Sequence, residues 1–259
     1  MSKYIYVGCG NHRLDGFCHI DIDYAKKFSK GEVVSDPDFI CDIVETLPFK
    51  DNSVELIYSR QTLEHLTYRE LVNHLIECHR VLKIGGKIRL GVPDLDIMVK
   101  NFNEKIINIE NEKKNWEIDE NFPIDNHSEF FVAQILYHDH RYNHNYETMQ
   151  NCISKIGFNK ITKNSPGDFI FNNEIIRNGV NKSELEEKNQ LVVTAEKTLD
   201  NAKINKYNLQ KRINIINRTL KKIFNLKLSP SNPRRPHFPQ KNFFKEKIFF
   251  LKKKLIKLF

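Results

Sequence analysis

The chain has 259 residues, 40% hydrophobic and 29% charged, with a formal charge of +8. That apolar content excludes global disorder, and the longest apolar runs, such as Ile248-Phe249-Phe250-Leu251, fall far short of the roughly 20 residues of a membrane-spanning helix. The charge is split: residues 200–259 hold 17 Lys/Arg against 2 Asp/Glu, a balance of +15, while residues 1–199 balance at −7.

In chain order, Tyr4–Val7 is a strand-like run ending in Gly8-Cys9-Gly10. A second strand is predicted over 17–22, ending in Asp21 and Asp23, and a third over 39–43, holding Asp42. A fourth covers 54–58 and a fifth covers 87–92, stopped by Pro93. Between these two, Leu71, Leu75, Cys78 and Leu82 recur at helical spacing over 67–82, and Ile84-Gly85-Gly86 is expected to end that helix. Residues 95–156 read as a helical insertion over the mouth of the sheet. Its helices are expected near 95–114, 128–138 and 146–156, with a polar loop at Pro123. Gly157-Phe158 then turns the chain towards a β-branched last strand at 190–195. Strands and crossovers in series predict an α/β domain over 1–199 with a mostly parallel sheet.

The basic arm divides in three. Leu209, Ile213, Ile216, Leu220 and Ile223 form a helical stripe in a basic helix over 200–228. Pro230, Pro233, Pro236 and Pro239 recur every third residue, which suits a polyproline-II linker over 229–240. Over 241–259, Phe244, Ile248, Leu251, Leu255 and Leu258 share one helical arc flanked by lysines. That is the pattern of a basic amphipathic helix on an anionic membrane surface. Nucleic acid is the alternative partner, since lysines and arginines neutralise phosphates and Phe238 or Phe243 can stack on bases. The 209–223 stripe allows a homodimer. The chain starts directly in a strand with no signal-peptide pattern, and its five cysteines form no CxxC pair, so reduced thiols and a cytoplasmic setting are expected.

The chemistry centres on Gly8-Cys9-Gly10. Glycines after a first strand let backbone approach a ligand closely, at the carboxyl edge where open α/β sheets bind ligands. A dinucleotide fingerprint requires glycine where this chain has Arg13, so that reading fails. Asp21 at the end of the next strand suits ribose hydroxyls, and Asp42 at the end of the third suits an adenine amine. The plainer reading of both acids is a strand-end cap.

The ordered set of Val7-Gly8-Cys9-Gly10, His19-Ile20-Asp21-Ile22-Asp23, Cys41-Asp42-Ile43, Leu47-Pro48-Phe49, Leu63-Glu64-His65-Leu66 and Arg80-Val81-Leu82-Lys83-Ile84-Gly85-Gly86 resembles the class I S-adenosylmethionine-dependent methyltransferases. Val92-Pro93-Asp94 and Ile156-Gly157-Phe158 extend the resemblance over most of 4–197. It implies a Rossmann-like sheet, mostly parallel with an antiparallel last strand, and S-adenosylmethionine as cofactor. It also implies cofactor binding by Gly8, Cys9 and Gly10 at the methionine end, Asp21 at the ribose, and Asp42 with Ile43 at adenine. The chain departs from the family twice. Tyr6 stands where the family carries an acid, and only residues 11–16 separate the first two strands, too few for the usual helix. The chain is similar in this to the short variant found among predicted surface-polysaccharide methyltransferases. Asn11 and His12 are the expected substitutes at the methionine end.

Methyl transfer needs alignment and, for a hydroxyl acceptor, a base. Candidates are His65, Asp94 and His140, the last within His138-Asp139-His140-Arg141-Tyr142-Asn143-His144. The plainer readings are a helix N-cap for Asp94 and a structural hydrogen bond for His65. Spacing on a loop does not fix ligand geometry, so His138, His140 and His144 are assigned to substrate contact and no metal ligand is expected. The resulting expectation is an enzyme that O-methylates a glycan or lipid-linked saccharide as a peripheral protein at the inner face of the cell membrane. The alternatives are an RNA methyltransferase and a catalytically degenerate scaffold of the same fold.

Overall fold

Seven short runs rich in β-branched, aliphatic and aromatic residues build one sheet: β1 (Tyr4–Val7), β2 (Cys18–Asp21), β3 (Phe39–Ile40), β4 (Val54–Arg60), β5 (Leu82–Pro93), β6 (Asn159–Asn164) and β7 (Gln190–Glu196). The computed structural model describes residues 3–22, 37–115, 124–136, 140–187 and 189–199. All lie in the first of the two units into which the chain divides, Met1–Asn208 and Leu209–Phe259. The helices and linker expected over 200–228, 229–240 and 241–259 fall outside the described residues, as does His138.

The strand order is β3-β2-β1-β4-β5-β7-β6. β1 pairs in parallel with both β2 and β4, whereas β7 runs antiparallel to both of its neighbours, β5 and β6. This is the mostly parallel sheet with an antiparallel last strand that the sequence predicts. The chain moves outward from β1 to β3 and then returns to the other side of β1 with β4. The switch point of the sheet therefore lies between β1 and β4, where α/β sheets open a ligand crevice at their carboxyl ends.

Helix α1 (Tyr68–Val81) starts at a capping box in which Thr67 accepts from the Glu70 amide and Glu70 accepts from the Thr67 amide. It lays Leu71, Leu75 and Cys78 against Ile5, Ile57 and Ile88 of the sheet in the main core. The expected helix end at Ile84-Gly85-Gly86 is not where the helix stops. Val81 is its last residue and β5 already begins at Leu82, because the Ser53 amide takes the Val81 carbonyl and draws the chain into the sheet.

The single helix expected over 95–114 is two, α2 (Leu95–Glu104) and α3 (Ile109–Asn115), separated at Lys105 with φ +52°. α2 stacks Phe102 on Phe131 of α4 (His127–Leu136) at 4.8 Å, and Ile109 of α3 packs on a small apolar cluster of Ile124, Phe130 and Ala133. Helix α5 (Tyr146–Ile156) is capped by Asn145 and packs Met149, Cys152 and Ile153 into the main core. The last helix of the 95–156 stretch therefore belongs to the sandwich itself.

The opposite sheet face resolves the missing helix between β1 and β2. Residues 8–17 form only turns there, with His12 N bonded to Cys9 O and Phe17 N to Leu14 O. Their place is taken by α6 (Glu174–Leu185), from the far end of the chain. Ile176 and Val180 of α6 pack with Phe169 against Tyr6, Phe17 and Tyr58. Arg89, 1% exposed, reaches from β5 to grip Glu184 through two hydrogen bonds of 2.7 Å and so ties α6 down. Sequence periodicity did not reveal α6, since Gly179 and a run of polar residues weaken its helical signal. Tyr6 thus sits in an aromatic core, 4.9 Å from the Tyr58 ring. Burial pushes its hydroxyl up to about 12, and Arg60 offsets part of that rise.

Candidate active site

At the end of β1 the backbone turns at Gly8 with φ +67°, in the left-handed region where a side chain is strained. A Cβ there would lie 2.2 Å from Thr62 Cγ2. Thr62 follows β4, and its hydroxyl bonds the Gly8 carbonyl at 3.2 Å. The two sides of the switch point therefore touch, and only a bare backbone fits between them. Asp21 closes the loop from the other side: Gly10 N donates to its Oδ2 and Ile22 N to its Oδ1, both at 2.7 Å. Asp21 is half-buried, so its carboxylate both clamps the glycine turn and faces the rim.

Cys9 is buried under this turn, and burial, with Asp21 adding to it, pushes its thiol up to about 12. Cys9 is therefore a neutral packing residue supporting the cradle. Asn11 and His12 lie exposed on the turn, His12 facing Glu186 at 4.0 Å. Desolvation pushes Asp38 up, but hydrogen bonds from the His19 backbone, Arg13 and the His19 ring outweigh it and hold the carboxyl down at about 2. His19 Nε2 accepts from the Leu14 amide at 2.9 Å, so Nδ1 carries the proton that goes to Asp38.

Asp42 follows β3 and is exposed, with Val44 N donating to its Oδ1 at 3.0 Å. The expected strand over 39–43 shortens to Phe39–Ile40 because Asp42 opens a turn, Glu45 N reaching its carbonyl at 2.9 Å. One stripe of α1 fixes this turn. His74 Nδ1 donates to the Ile43 carbonyl at 3.0 Å, and Glu77 accepts from the Leu47 amide at 3.0 Å. Arg80 donates to the carbonyls of Phe49 and Leu47 and to the carboxylates of Glu77 and Asp51. His74, Glu77 and Arg80 are three residues apart in succession, so they face one way on a helix. Neither His74 nor Glu77 is among the expected site residues. The signal was there, as polar residues at helical spacing on the face that should have been apolar.

Beyond β4, Gln61 takes φ +49° and turns the chain back over the rim into a short 3-10 turn, Leu63–His65. Glu64 is 1% exposed, and burial pushes its carboxyl up to about 8; backbone amides at Glu64 and Thr62 oppose the rise and Glu187 adds to it. Residues 140–144 cross the ends of β4 and β5 as a strap. Arg141 N and Tyr142 N both donate to the Glu64 carbonyl, at 2.8 and 3.2 Å, and Leu95 N donates to the His144 carbonyl at 2.8 Å. The strap sets the His140 ring 5.1 Å from that of His65, edge to face. Single ligand atoms of Glu64, His65 and His140 lie within 4.8 Å of one another.

Two of the three expected acid–base residues, His65 and His140, are thus brought together, with Glu64 as a third member that the sequence analysis did not single out. Asp94 stands apart. It caps α2 through the Asp96 amide at 3.0 Å, and Lys163 takes its other oxygen at 3.0 Å. His144 does not join His140: it is 1% exposed, its ring lies 4.8 Å from Tyr142, and neither ring nitrogen has a hydrogen-bond partner. Burial pulls its pKa down to about 4.

A glycine cradle lies at the switch point, with carboxylates at the next two strand ends and a histidine-bearing rim beside them, the place where open α/β sheets bind ligands. Residues 7–90 match the family described as a methyltransferase domain. An uncharacterised protein of Methanocaldococcus jannaschii is 34% identical over 100 residues, 38% of this chain and 43% of the relative. The chain thus spans less than half the length of that curated relative. A SAM-dependent methyltransferase from Archaeoglobus fulgidus is similar at 15% identity over 75% of this chain and 85% of its own, with a TM-score of 0.43. One from Thermotoga maritima, described as a possible histamine N-methyltransferase, is similar at 14% identity over 76% and 83%, with a TM-score of 0.42. Both are distant likenesses of outline.

Proposed function

We propose that the protein transfers a methyl group from S-adenosylmethionine to a hydroxyl oxygen of a glycan or lipid-linked saccharide at the cytoplasmic face of the membrane. The observation that carries the donor half is the Gly8 cradle, which a Cβ would fill and which Asp21 clamps. Gly8, Cys9, Gly10 and Asn11 would hold the methionine end, Asp21 the ribose, and Asp42 with the Ile43 backbone the adenine. Bound there, the cofactor supplies an electrophilic methyl carbon on a sulfonium.

The chain's own part is alignment and proton removal. The acceptor hydroxyl enters at the rim where Glu64, His65 and His140 meet. Its oxygen would take the methyl carbon, with the C–S bonding pair left on sulfur. The hydroxyl proton passes to an imidazole of the cluster. Asp94, with its oxygens taken by Asp96 N and Lys163, positions α2 and the strap beside the acceptor.

The saccharide and membrane parts rest on the sequence of the arm and on resemblance to the short variant. Among the described residues no helix is long and apolar enough to cross a membrane. The apolar arc and lysines of 241–259 supply a surface anchor instead. The test is turnover of methyl-labelled donor on membrane, glycan and RNA fractions, with sedimentation on anionic liposomes. Label in glycan or lipid-linked saccharide, and liposome binding lost on deleting 241–259, are the expected results. A second reading, methylation of RNA held by the +15 arm, predicts label in the RNA fraction and no liposome binding. No binding of S-adenosylhomocysteine in calorimetry would leave only the scaffold.

A further inference from the structure

We propose that Glu64, His65 and His140 form a binding site for one divalent transition-metal ion at the rim beyond β4. Nothing in the sequence spacing pointed to this set, because its members come from two segments 75 residues apart, brought together only by the strap.

Three observations support a built site. First, the donor atoms already lie within 4.8 Å of one another. Ligands of an ion such as Zn²⁺ stand about 2.0–2.2 Å from it, so a contraction of roughly 1 Å per side chain completes the coordination. Second, Glu64 is 1% exposed and its Oε2 has no hydrogen-bond partner. A buried carboxylate oxygen without a partner is costly, and a cation removes that cost. Third, the backbone is locked where the two segments meet, with Arg141 N and Tyr142 N both on the Glu64 carbonyl. His140 is therefore delivered to Glu64 by main-chain bonds, independently of side-chain rotamers.

The donor chemistry narrows the ion. Two imidazoles and one carboxylate suit zinc, manganese or iron, whereas calcium and magnesium prefer oxygen-only sets. Three protein ligands leave coordination positions open. On the reading of the chain as an O-methyltransferase, on which this step rests, an ion held by Glu64, His65 and His140 would supply Lewis-acid activation of the acceptor hydroxyl, and with both imidazoles engaged as ligands the proton would leave to water.

The experiment uses tag-free, full-length protein stripped with chelator. It is titrated with ZnCl₂ in a calorimeter and with CoCl₂ under visible spectroscopy, without methyl donor. The expected result is one equivalent bound, with cobalt d–d bands of a low-coordinate N/O site. Glu64→Gln and His140→Asn should each weaken binding by about 100-fold or more, while both variants keep their far-UV circular dichroism and their affinity for S-adenosylhomocysteine. If Glu64→Gln does not fold, His140→Asn on the strap carries the comparison. Absence of stoichiometric binding by the folded wild type overturns the site. Binding that survives both substitutions overturns it too. Metal binding without any S-adenosylhomocysteine binding leaves the site standing and removes the methyltransferase reading.

Discussion

The hydroxyl of Thr62 meets the carbonyl of Gly8 at 3.2 Å, across the point where the sheet reverses its order. The same threonine occupies the space that any side chain at position 8 requires. Gly8→Ala must therefore displace Thr62 and hold alanine at φ +67°. The left-handed strain alone costs on the order of 1–3 kcal/mol. Calorimetry with S-adenosylhomocysteine should show at least a tenfold loss of affinity. Adding Thr62→Gly should recover part of the loss and no more, since it relieves the clash and leaves the strain.

Asp21 carries a second prediction. Its carboxylate accepts two backbone amides, from Gly10 and Ile22, at 2.7 Å each. Hydrogen bonds to a charged acceptor contribute about 1.5–3 kcal/mol. Asp21→Asn should weaken S-adenosylhomocysteine binding by roughly 10- to 100-fold while the protein stays folded. Unchanged affinity would reduce Asp21 to a strand-end cap.

Arg80 links stability to the turn at Asp42 and Ile43. It is buried and bonded to two carbonyls and two carboxylates that define the 47–51 loop. Removing one partner of a buried ion pair costs about 3–5 kcal/mol, because the other charge is stranded. Arg80→Met should lower the unfolding free energy from urea titration by that amount. Glu77→Gln/Arg80→Met should be less damaging than the sum of its parts, as the double variant leaves no uncompensated charge at Glu77.

His144 gives the pH dependence. Its folded pKa, about 4, lies below the ordinary 6.5. Between these values the unfolded chain binds the proton and the folded one does not, so stability is full above pH 6.5 and is lost as pH falls towards 4. The loss is on the order of 3 kcal/mol. His144→Leu should flatten urea-derived stability across that window, whereas wild type should decline.

Six of the seven strands, α1, α5 and the cradle were legible because their signals are local, whereas no strand was expected at β6, whose alternation is polar on both faces. An apolar run ending in Gly8-Cys9-Gly10, or Leu71, Leu75 and Cys78 at helical spacing, needs no knowledge of the rest of the chain. Helix α6 was not legible, since its role is to cover a face left bare by the short 11–16 segment, and that vacancy is a property of the assembled sheet. The rim beyond β4 was half legible. His65 and His140 stood out as chemistry-bearing residues, but what pairs them is the main-chain bonding of Arg141 and Tyr142 to Glu64. His144, four residues further, diverges because the Leu95 amide takes its carbonyl and turns the ring inward.

The chain leaves the sheet at Asp94 and returns at His144, and these two residues sit side by side in a parallel bridge. Whatever lies between them is, to the sheet, one closed loop with its ends already tied. Lengthening such a loop costs little, about 0.6 kcal/mol for each doubling. The stretch between Asp94 and His144 is accordingly a cassette: it can be traded for another with the Gly8 turn and its clamp at Asp21 untouched, provided the incoming stretch restores the His140 imidazole to its place beside Glu64.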